Sequence, residues 1–233
     1  MPNHESRITN HGFFVTGTDT GVGKTLVACT LLRAYAGRGM RAVGMKPVAA
    51  GAAPGAHGLR NEDVESLVAA GNVVAPREHV NPYCFGPPIA PHIAAAQAGV
   101  RIELGRIEQA CRALAALADV VIVEGAGGFR VPLGRGLDTA QMAARLALPV
   151  VLVVGMRLGC LNHALLTAEA ITASGLVLAG WVANHLDPAM IAADENVRAL
   201  EDLIAAPLIA RVAHAANPDP AALAGALDSR KLP

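Results

Sequence analysis

Residues 17–25, with the sequence GTDTGVGKT, constrain the fold of this chain more than any other segment. They follow a short apolar run at residues 12–16 and precede a helical stretch that begins near Leu26. At such a strand-to-helix turn, backbone N–H groups point at bound phosphates, a lysine neutralises the β- and γ-oxygens, and a hydroxyl reaches magnesium. We therefore predict a phosphate-binding loop in which Lys24 and Thr25 take the last two roles.

This loop departs from the strict pattern G-x-x-x-x-G-K-[ST]. Counting back from Gly23 places the first required glycine at position 18, where Thr18 stands, and Gly17 lies one place earlier. A glycine-rich turn that binds nothing would account for the glycines, but not for a Gly-Lys-Thr at a helix start. A variant phosphate-binding loop explains both.

Length and charge limit the remaining possibilities. The 233 residues contain no Pro-, Gly- or Ser-rich break, which indicates one domain over residues 12–233. Residues 1–11 are polar and lack the apolar core of a signal peptide, so we interpret them as a flexible tail on a cytoplasmic protein. The 19 basic residues balance 19 acidic ones without long blocks of either sign, so we expect small-molecule ligands, no nucleic acid and no membrane. The longest apolar stretch, residues 146–156, is far shorter than the ~20 residues that span a bilayer.

The cysteines give no sign of a metal or disulfide framework. Cys29, Cys84, Cys111 and Cys160 lie far apart, and no C-x-x-C spacing occurs. We interpret them as small buried thiols.

Apolar runs of strand length alternate with alanine-rich segments that have helical spacing. The runs are continuous, which indicates strands buried on both faces, and the alternation predicts an α/β fold: a doubly wound, mostly parallel β-sheet flanked by helices. Ligands of such a sheet bind at the carboxyl ends of its strands. Residues 49–91 are interpreted as an excursion over that edge, and the segment after Asn217 as a loosely attached helix. The predicted strands are 13–16, 42–45, 120–123, 150–154, 177–183 and 208–212, and the predicted helices are 26–37, 105–117, 139–146, 162–173 and 190–204.

Two charged residues are expected at this edge of the sheet. Lys46 ends the second strand, and Pro47 after it forces an extended exit that aims the lysine at the phosphate-binding loop. Taken alone, a lysine at a strand end is more often a solvated surface charge. Glu124 ends the strongly apolar run at residues 120–123 and precedes GAGG, an arrangement that can hold magnesium beside a nucleotide.

Two further residues allow more than one interpretation. Asp63 could supply a second carboxylate, or it could be the N-cap of a helix over residues 64–70. Asn184 closes a strand, where its amide could read the edge of a base, or it could be an ordinary turn residue.

Eight motifs, in order between residues 13 and 208, resemble those of the dethiobiotin synthetases. They are TGTDTGVGKT (16–25), KPVAAG (46–51), GLRNED (58–63), NPYCF (81–85), APHIA (90–94), VEGAGG (123–128), LGCLNHA (158–164) and GWVAN (180–184). The resemblance implies an ATP- and Mg²⁺-dependent cyclo-ligase of biotin synthesis that converts 7,8-diaminopelargonic acid and CO₂ to dethiobiotin. It also implies a homodimer with active sites at the subunit interface.

The resemblance assigns roles motif by motif. Lys24, Lys46 and Thr20 are the expected catalytic residues, and Thr25, Asp63 and Glu124 the expected magnesium ligands. The expected nucleotide-binding residues are Gly21, Val22, Gly23, Lys24, Thr25, Leu26, Glu124, Gly125 and Asn184. The expected substrate-binding residues are Thr20, Lys46, Ala50, Gly159 and Asn162. The last two would act across the interface, where they bind the carboxylate of a substrate held in the other subunit's site.

This chain differs from the family pattern at two places. Ala50 stands where the family usually has a serine or threonine hydroxyl, and residues 209–213 lack the usual glycine and proline. The chemistry gives His92 and His163 no evident role, and we interpret both as structural.

Two other functions fit the sequence less well than that of a dethiobiotin synthetase. An amide-forming ligase of the corrinoid pathway would carry a glutamine-hydrolysing domain, for which this chain has no room. A partitioning-type ATPase switch would place a lysine at position 19, where this chain has Asp19.

Overall fold

The structure, a computed structural model, describes residues 11–56, 58–228 and 231–232. The predicted tail at residues 1–11 therefore lies outside the described residues, apart from His11, with which the first strand begins. The strands are β1 (His11–Gly17), β2 (Ala42–Met45), β3 (Val48–Ala49), β4 (Ala53–Gly55), β5 (Gly58–Arg60), β6 (Tyr83–Cys84), β7 (Val120–Glu124), β8 (Pro132–Gly134), β9 (Leu137–Asp138), β10 (Val150–Met156), β11 (Leu178–His185) and β12 (Leu208–Val212). The helices are α1 (Lys24–Ala36), α2 (Glu62–Ala70), α3 (Arg77–Val80), α4 (Pro91–Gln97), α5 (Leu104–Leu117), α6 (Thr139–Leu146), α7 (Cys160–Ala173), α8 (Ala193–Leu203) and α9 (Pro220–Ala224).

A six-stranded sheet in the order β12-β11-β10-β1-β7-β2 forms the centre of the fold. Each of its strand pairs is parallel. Successive side chains of β1 enter two separate apolar clusters, with Phe13 and Val15 in one and Phe14 in the other. The sheet is thus buried on both faces, which is why its strands read as continuous apolar runs. The predicted α/β class and parallel sheet are confirmed.

Three short two-stranded pairings lie outside this sheet, in the segments between its strands: β3 with β6, β4 with β5, and β8 with β9. β4 and β5 are exposed along their whole length. They therefore lack the apolar pattern from which a strand can be recognised.

Asn61, and not Asp63, is the N-cap of α2. The Asn61 side chain accepts a hydrogen bond from the Val64 N–H at 3.4 Å, and Asp63 lies inside the first turn. The N-cap interpretation of Asp63 is therefore wrong, and its carboxylate is left for other contacts.

The C-terminal segment is tied to the domain more firmly than we expected. α9 packs against α1, and Leu227 and Leu232 are buried in the same apolar cluster as Val27. The Asp228 N–H also donates to the Ile209 carbonyl at 2.9 Å.

The four cysteines are free thiols, of which Cys29, Cys111 and Cys160 are buried and Cys84 is half-buried. Burial raises the pKa of the Cys29 and Cys111 thiols to about 12, so both are protonated near neutral pH. Within the described ranges, no helix has both the length and the apolarity required to cross a membrane.

Candidate active site

Four side chains from separate elements meet at the carboxyl edge of the sheet. Lys46, one residue past β2, donates to Asp63 Oδ2 at 2.7 Å and to Glu124 Oε1 at 2.5 Å. Thr25, in the first turn of α1, donates its hydroxyl toward Asp63 Oδ1 and Glu124 Oε1, each at 2.9 Å. Because β1, β2 and β7 are parallel neighbours in the sheet, their ends bring these residues together. Lys46 is 4% exposed, so the interpretation of it as a solvated surface charge is wrong.

The oxygen donors of this cluster fit a magnesium ion. Glu124 is 1% exposed, and its Oε2 atom is buried without a hydrogen-bond partner. A buried carboxylate oxygen without a partner is costly unless a cation or donor satisfies it. This cluster contains only two carboxylates, and no group of three or more His, Cys, Asp or Glu side chains that could hold a metal occurs among the described residues. Two carboxylates and one hydroxyl match the hard, partly hydrated Mg²⁺, which takes its other oxygens from phosphates and water.

Burial and charge act in opposite directions on the ionisable groups of the cluster. Burial opposes the charge of Lys46, but Glu124 and Asp63 outweigh it and raise the Lys46 pKa. Burial likewise opposes the charge of Asp63, but Lys46 beside it lowers the Asp63 pKa. For the fully enclosed Glu124, burial dominates and raises the pKa. A divalent cation at this site would favour the ionised carboxylates.

The phosphate-binding loop runs from the end of β1 to the start of α1. Gly21 and Gly23 have φ values of 73° and 91°, in the left-handed region that glycine adopts freely. Lys24 is 6% exposed, and its Nζ donates to the Asp19 carbonyl at 2.8 Å across the loop. Burial, reinforced by the positive charge of Lys46, lowers the pKa of Lys24 to about 8.

Asn184, near the end of β11, touches this loop. Its amide nitrogen donates to the Val22 carbonyl at 2.9 Å, and a side chain at Gly23 would collide with that same amide. Asn184 is therefore not an ordinary turn residue, since its side chain holds the backbone of the phosphate-binding loop at Val22. Base reading by its remaining amide oxygen stays a prediction.

A cavity of about 490 Å³ opens beside the cluster. Its lining includes the polar side chains of Thr20, Lys46 and Asp63, and the rest of the lining is mostly apolar. Ala50 lines this cavity and offers no hydroxyl there, and its contact with a substrate stays a prediction. The residues that line the cavity are Thr20, Lys46, Val48, Ala50, Asp63, Pro88, Ile89, Ala90, Pro91, Ala126, Gly127 and Val131.

Gly159 and Asn162 do not line this cavity. Gly159 precedes α7 with a φ of 95°, and both it and Asn162 are exposed. Arg157, two residues earlier, donates to Asp19 Oδ2 at 2.6 Å and brings this turn beside the phosphate-binding loop. The predicted role of Gly159 and Asn162 toward a neighbouring subunit stays a prediction.

Several residues that position the site were not singled out from the sequence. Asn81 donates to the Lys46 carbonyl at 2.6 Å and the Tyr83 carbonyl at 3.0 Å, which fixes the backbone that carries Lys46. It lies in the NPYCF motif, but no local signal shows which backbone groups it meets. Arg157 had no recognisable signal, because its partner Asp19 is distant in sequence. His92 has a buried Nδ1 atom without a partner, and His163 is exposed.

Comparisons with known proteins agree with these observations. The family described as "AAA domain" matches residues 11–221. A protein of Aromatoleum aromaticum named ATP-dependent dethiobiotin synthetase BioD is 58% identical over 215 residues, which cover 92% of this chain and 96% of that protein. A protein of the same name from Nitrosospira multiformis is 54% identical over 221 residues, which cover 95% of this chain and 96% of that protein.

Solved structures of low identity share the fold alone. A ParA family ATPase from Chlorobium tepidum has a TM-score of 0.53 at 14% identity and covers 89% of this chain and 85% of its own. The MinC:MinD complex of Aquifex aeolicus gives 0.54 at 16% identity, with 88% of this chain and 82% of that chain covered. The fold is that of the P-loop NTPases, and the near full-length relatives decide the family within it: this chain belongs to the ATP-dependent dethiobiotin synthetases and is a ligase.

Proposed function

We propose that this chain closes 7,8-diaminopelargonic acid and CO₂ to the ureido ring of dethiobiotin, with conversion of ATP to ADP and phosphate, as a step of biotin synthesis. The relatives of 58% and 54% identity support this reaction by their names. The observation that carries the proposal is the adjacency of two features. The cluster of Lys46, Asp63, Glu124 and Thr25 lies directly beside a cavity that Lys46 and Asp63 line together with mostly apolar residues.

The cavity suits a diamine on an aliphatic chain. Thr20, Lys46 and Asp63 are its polar lining residues, beside which the two amino groups and the captured CO₂ would lie. Val48, Ile89 and Val131 belong to the apolar wall, against which methylene groups can pack. Ala50 leaves one hydrogen bond to be made by water.

The reaction needs no nucleophile from the protein. One amine nitrogen attacks CO₂ to form a carbamate and releases a proton. A carbamate oxygen attacks the γ-phosphorus, ADP leaves, and a carbamic–phosphoric anhydride forms. The second amine then attacks the carbonyl carbon, phosphate leaves, a second proton is lost, and the ring closes.

The side chains act by position and charge, as expected for phosphoryl transfer with a loose transition state. Lys24 meets the β- and γ-oxygens of the nucleotide. Lys46 and Thr20 contact the carbamate and the γ-phosphoryl group. Thr25, Asp63 and Glu124 would hold Mg²⁺, which neutralises charge that develops on the phosphate oxygens.

The path of oxygen tests this proposal. In the proposed sequence a carbamate oxygen becomes the bridge to phosphorus and leaves with phosphate. A single turnover with ¹⁸O-labelled CO₂, excess enzyme, diamine, ATP and magnesium should put one labelled oxygen into phosphate, if quenching precedes exchange of CO₂ with water. Unlabelled phosphate formed alongside dethiobiotin would exclude the anhydride route.

A second assay separates the ligase from an ATPase switch. The ligase should consume ATP only when the diamine is present, whereas a switch hydrolyses ATP without it. Position 19 also favours the ligase, because Asp19 stands where the switch has a lysine and is paired with Arg157 of the same chain. Phosphate release that does not depend on the diamine would overturn the assignment.

A further inference from the structure

The loop that follows β7 forms one wall of the candidate active site. We call residues 125–131 the wall loop. Ala126, Gly127 and Val131 of this loop line the cavity together with Thr20 and Lys46. Its backbone also packs against the phosphate-binding loop, since a Cβ atom built at Gly128 would lie 3.6 Å from the Gly17 carbonyl oxygen.

At Gly127, the wall loop lies close to Val131 on one side and to Thr20 on the other. Gly127 has a φ of 64°, and a Cβ atom there would lie 2.9 Å from Val131 Cγ2 and 3.5 Å from Thr20 Oγ1. A small displacement of the loop would therefore change the space between Gly127 and the Thr20 hydroxyl, which the proposed reaction uses.

One buried threonine holds the far end of the wall loop. Thr139, the first residue of α6, is 1% exposed. Its hydroxyl donates to the Phe129 carbonyl at 2.6 Å and accepts from the Val131 N–H at 2.9 Å. Its own N–H donates to the Val131 carbonyl at 2.9 Å, so Thr139 satisfies both backbone groups of Val131. The near end is held independently, because the Gly125 N–H donates to the Val15 carbonyl at 2.9 Å.

The helix start that carries Thr139 is itself well fixed. Asp138 caps α6 by accepting from the Gln141 N–H at 2.9 Å, and Gln141 Oε1 accepts from the Asp138 N–H at 3.0 Å. This reciprocal capping box satisfies two backbone donors and sets the direction in which the chain enters the helix. Thr139 thus fixes the backbone of the wall loop to a rigid helix end.

We propose that Thr139 is a positioning residue that holds the wall loop against the phosphate-binding loop and so keeps water from the reacting phosphoryl group. The proposal rests on the proposed function and deepens it. Water that reaches the γ-phosphorus of ATP releases ADP, phosphate and a proton without forming a C–N bond. The number of phosphates released per dethiobiotin therefore measures how well the wall loop excludes water.

Thr139→Val tests the proposal, because it removes the hydroxyl and keeps a similar volume and β-branching. We expect the phosphate released per dethiobiotin to rise clearly above one. The kcat for dethiobiotin should fall by up to roughly 100-fold, the scale of loss that a misplacement of about 1 Å can cause. Amide hydrogen exchange at Val131 should also become faster, because its N–H loses its acceptor.

Matched variants separate positioning from general stability. Thr139→Ser keeps the hydroxyl and should retain one phosphate per dethiobiotin. Arg198→Ala breaks the exposed ion pair with Glu195 at 3.2 Å in α8, outside the wall loop and α6, and should also leave this ratio at one. A folded Thr139→Val enzyme with the parent ratio would overturn the proposal, as would a Thr139→Ser enzyme as uncoupled as Thr139→Val.

Gly127→Ala provides a second test if Thr139→Val does not fold. This variant disturbs the same wall loop at the cavity side, and it should also raise the phosphate released per dethiobiotin. A parent ratio in this variant would show that the wall loop does not exclude water. A parent enzyme that makes no dethiobiotin would instead refute the proposed function, and the exchange rate at Val131 would still report whether Thr139 holds the loop.

Discussion

Lys46 is the residue on which the charge balance of the site depends. It lies between Asp63 and Glu124, and the Glu124 carboxylate has no access to solvent. Two carboxylates so close together are tolerated because a cation is fixed between them. Lys46 therefore has a structural duty beside its proposed catalytic one.

Replacing Lys46 should reveal both duties. Lys46→Met is expected to lower the free energy of unfolding by about 3 kcal/mol, because it leaves a buried charge without a partner. Added Mg²⁺ should restore part of this loss by taking over the neutralisation. Urea denaturation with and without Mg²⁺ measures both effects.

Arg112→Met, which breaks the ion pair with Glu108, is the control and should lower the free energy of unfolding by no more than about 1 kcal/mol in either condition. Equal losses in the two variants would contradict this account.

Lys24 should take up protons when the nucleotide binds. Its pKa of about 8 means that the side chain is about half protonated at pH 8 in the free protein. Phosphate oxygens favour the charged form and raise this pKa, so about half a proton per site should be bound with ATP at pH 8, and little at pH 6.5. Calorimetry in buffers of different ionisation enthalpy measures the uptake. Lys24→Arg keeps the charge but cannot titrate, so an unchanged uptake in this variant would assign it to another group.

The two carboxylates should set the magnesium requirement. Asp63→Asn and Glu124→Gln replace carboxylate oxygens by neutral amides, which hard cations bind less well. We expect each to raise the Mg²⁺ concentration needed for half-maximal activity, and Glu124→Gln to have the larger effect because its unpartnered Oε2 is buried. Magnesium titrations at saturating ATP measure this. A parent-like titration would remove the residue concerned from the metal site.

The sequence allowed some of these contacts to be predicted and not others. Lys24, Thr25 and Glu124 lie in motifs or at strand ends whose position a parallel sheet determines. Asp63 has two interpretations because a carboxylate near a helix start can also be a cap, and the structure decides between them by placing Asn61 at the cap and Asp63 against Lys46. The Arg157–Asp19 pair and the Thr139 contacts depend on how distant loops approach, which no local pattern encodes.

At the scale of elements, the six central strands and five long helices were predictable because burial imposes a period on their sequences. β2, β12 and α6 were placed at their observed bounds, and the other elements differ by a few residues at their ends. The hairpin of β8 and β9 has no clear sequence signal, since its strands are only three and two residues long and the backbone before β8 is held by Thr139 from α6.

The start of α2 gives a prediction at this scale. Asn61 caps the helix through Val64 and also donates to the Ala50 carbonyl at 3.1 Å, so it ties Asp63 to the cavity wall. Asn61→Ala should lower the free energy of unfolding by about 1 kcal/mol and raise the Mg²⁺ requirement, because Asp63 loses its fixed position. Asn61→Asp keeps the cap but loses the donor. If Asp63 depends on the tie to Ala50, only the stability should recover in this variant, and full recovery of the Mg²⁺ requirement would contradict that dependence.

At the scale of the whole molecule, the surface around the start of α7 bears on the predicted homodimer. Leu158 is 97% exposed and Leu166 is 57% exposed, on the turn and helix that carry Gly159 and Asn162. Neither Gly159 nor Asn162 lines the cavity of its own subunit. A helix N-terminus favours a carboxylate, so these residues can serve a substrate held by a neighbouring subunit.

Mixed dimers test the predicted role of Asn162 toward a neighbouring subunit. Lys24→Ala disables the phosphate-binding loop and should lower kcat by at least the roughly 10²–10³-fold that loss of one charge-stabilising group costs. Asn162→Asp puts a negative charge at the helix start and should raise the KM for the diamine by repelling the substrate carboxylate. If Asn162 acts across the interface, one site of a mixed dimer contains both substitutions and the other site contains neither.

Mixing the two variants under conditions of subunit exchange should then recover activity up to about one quarter of the parent's. The control is a chain with both substitutions mixed with Lys24→Ala alone, in which no site is intact. No recovery, in a mixture shown to exchange subunits, would mean that each active site is contained in one chain.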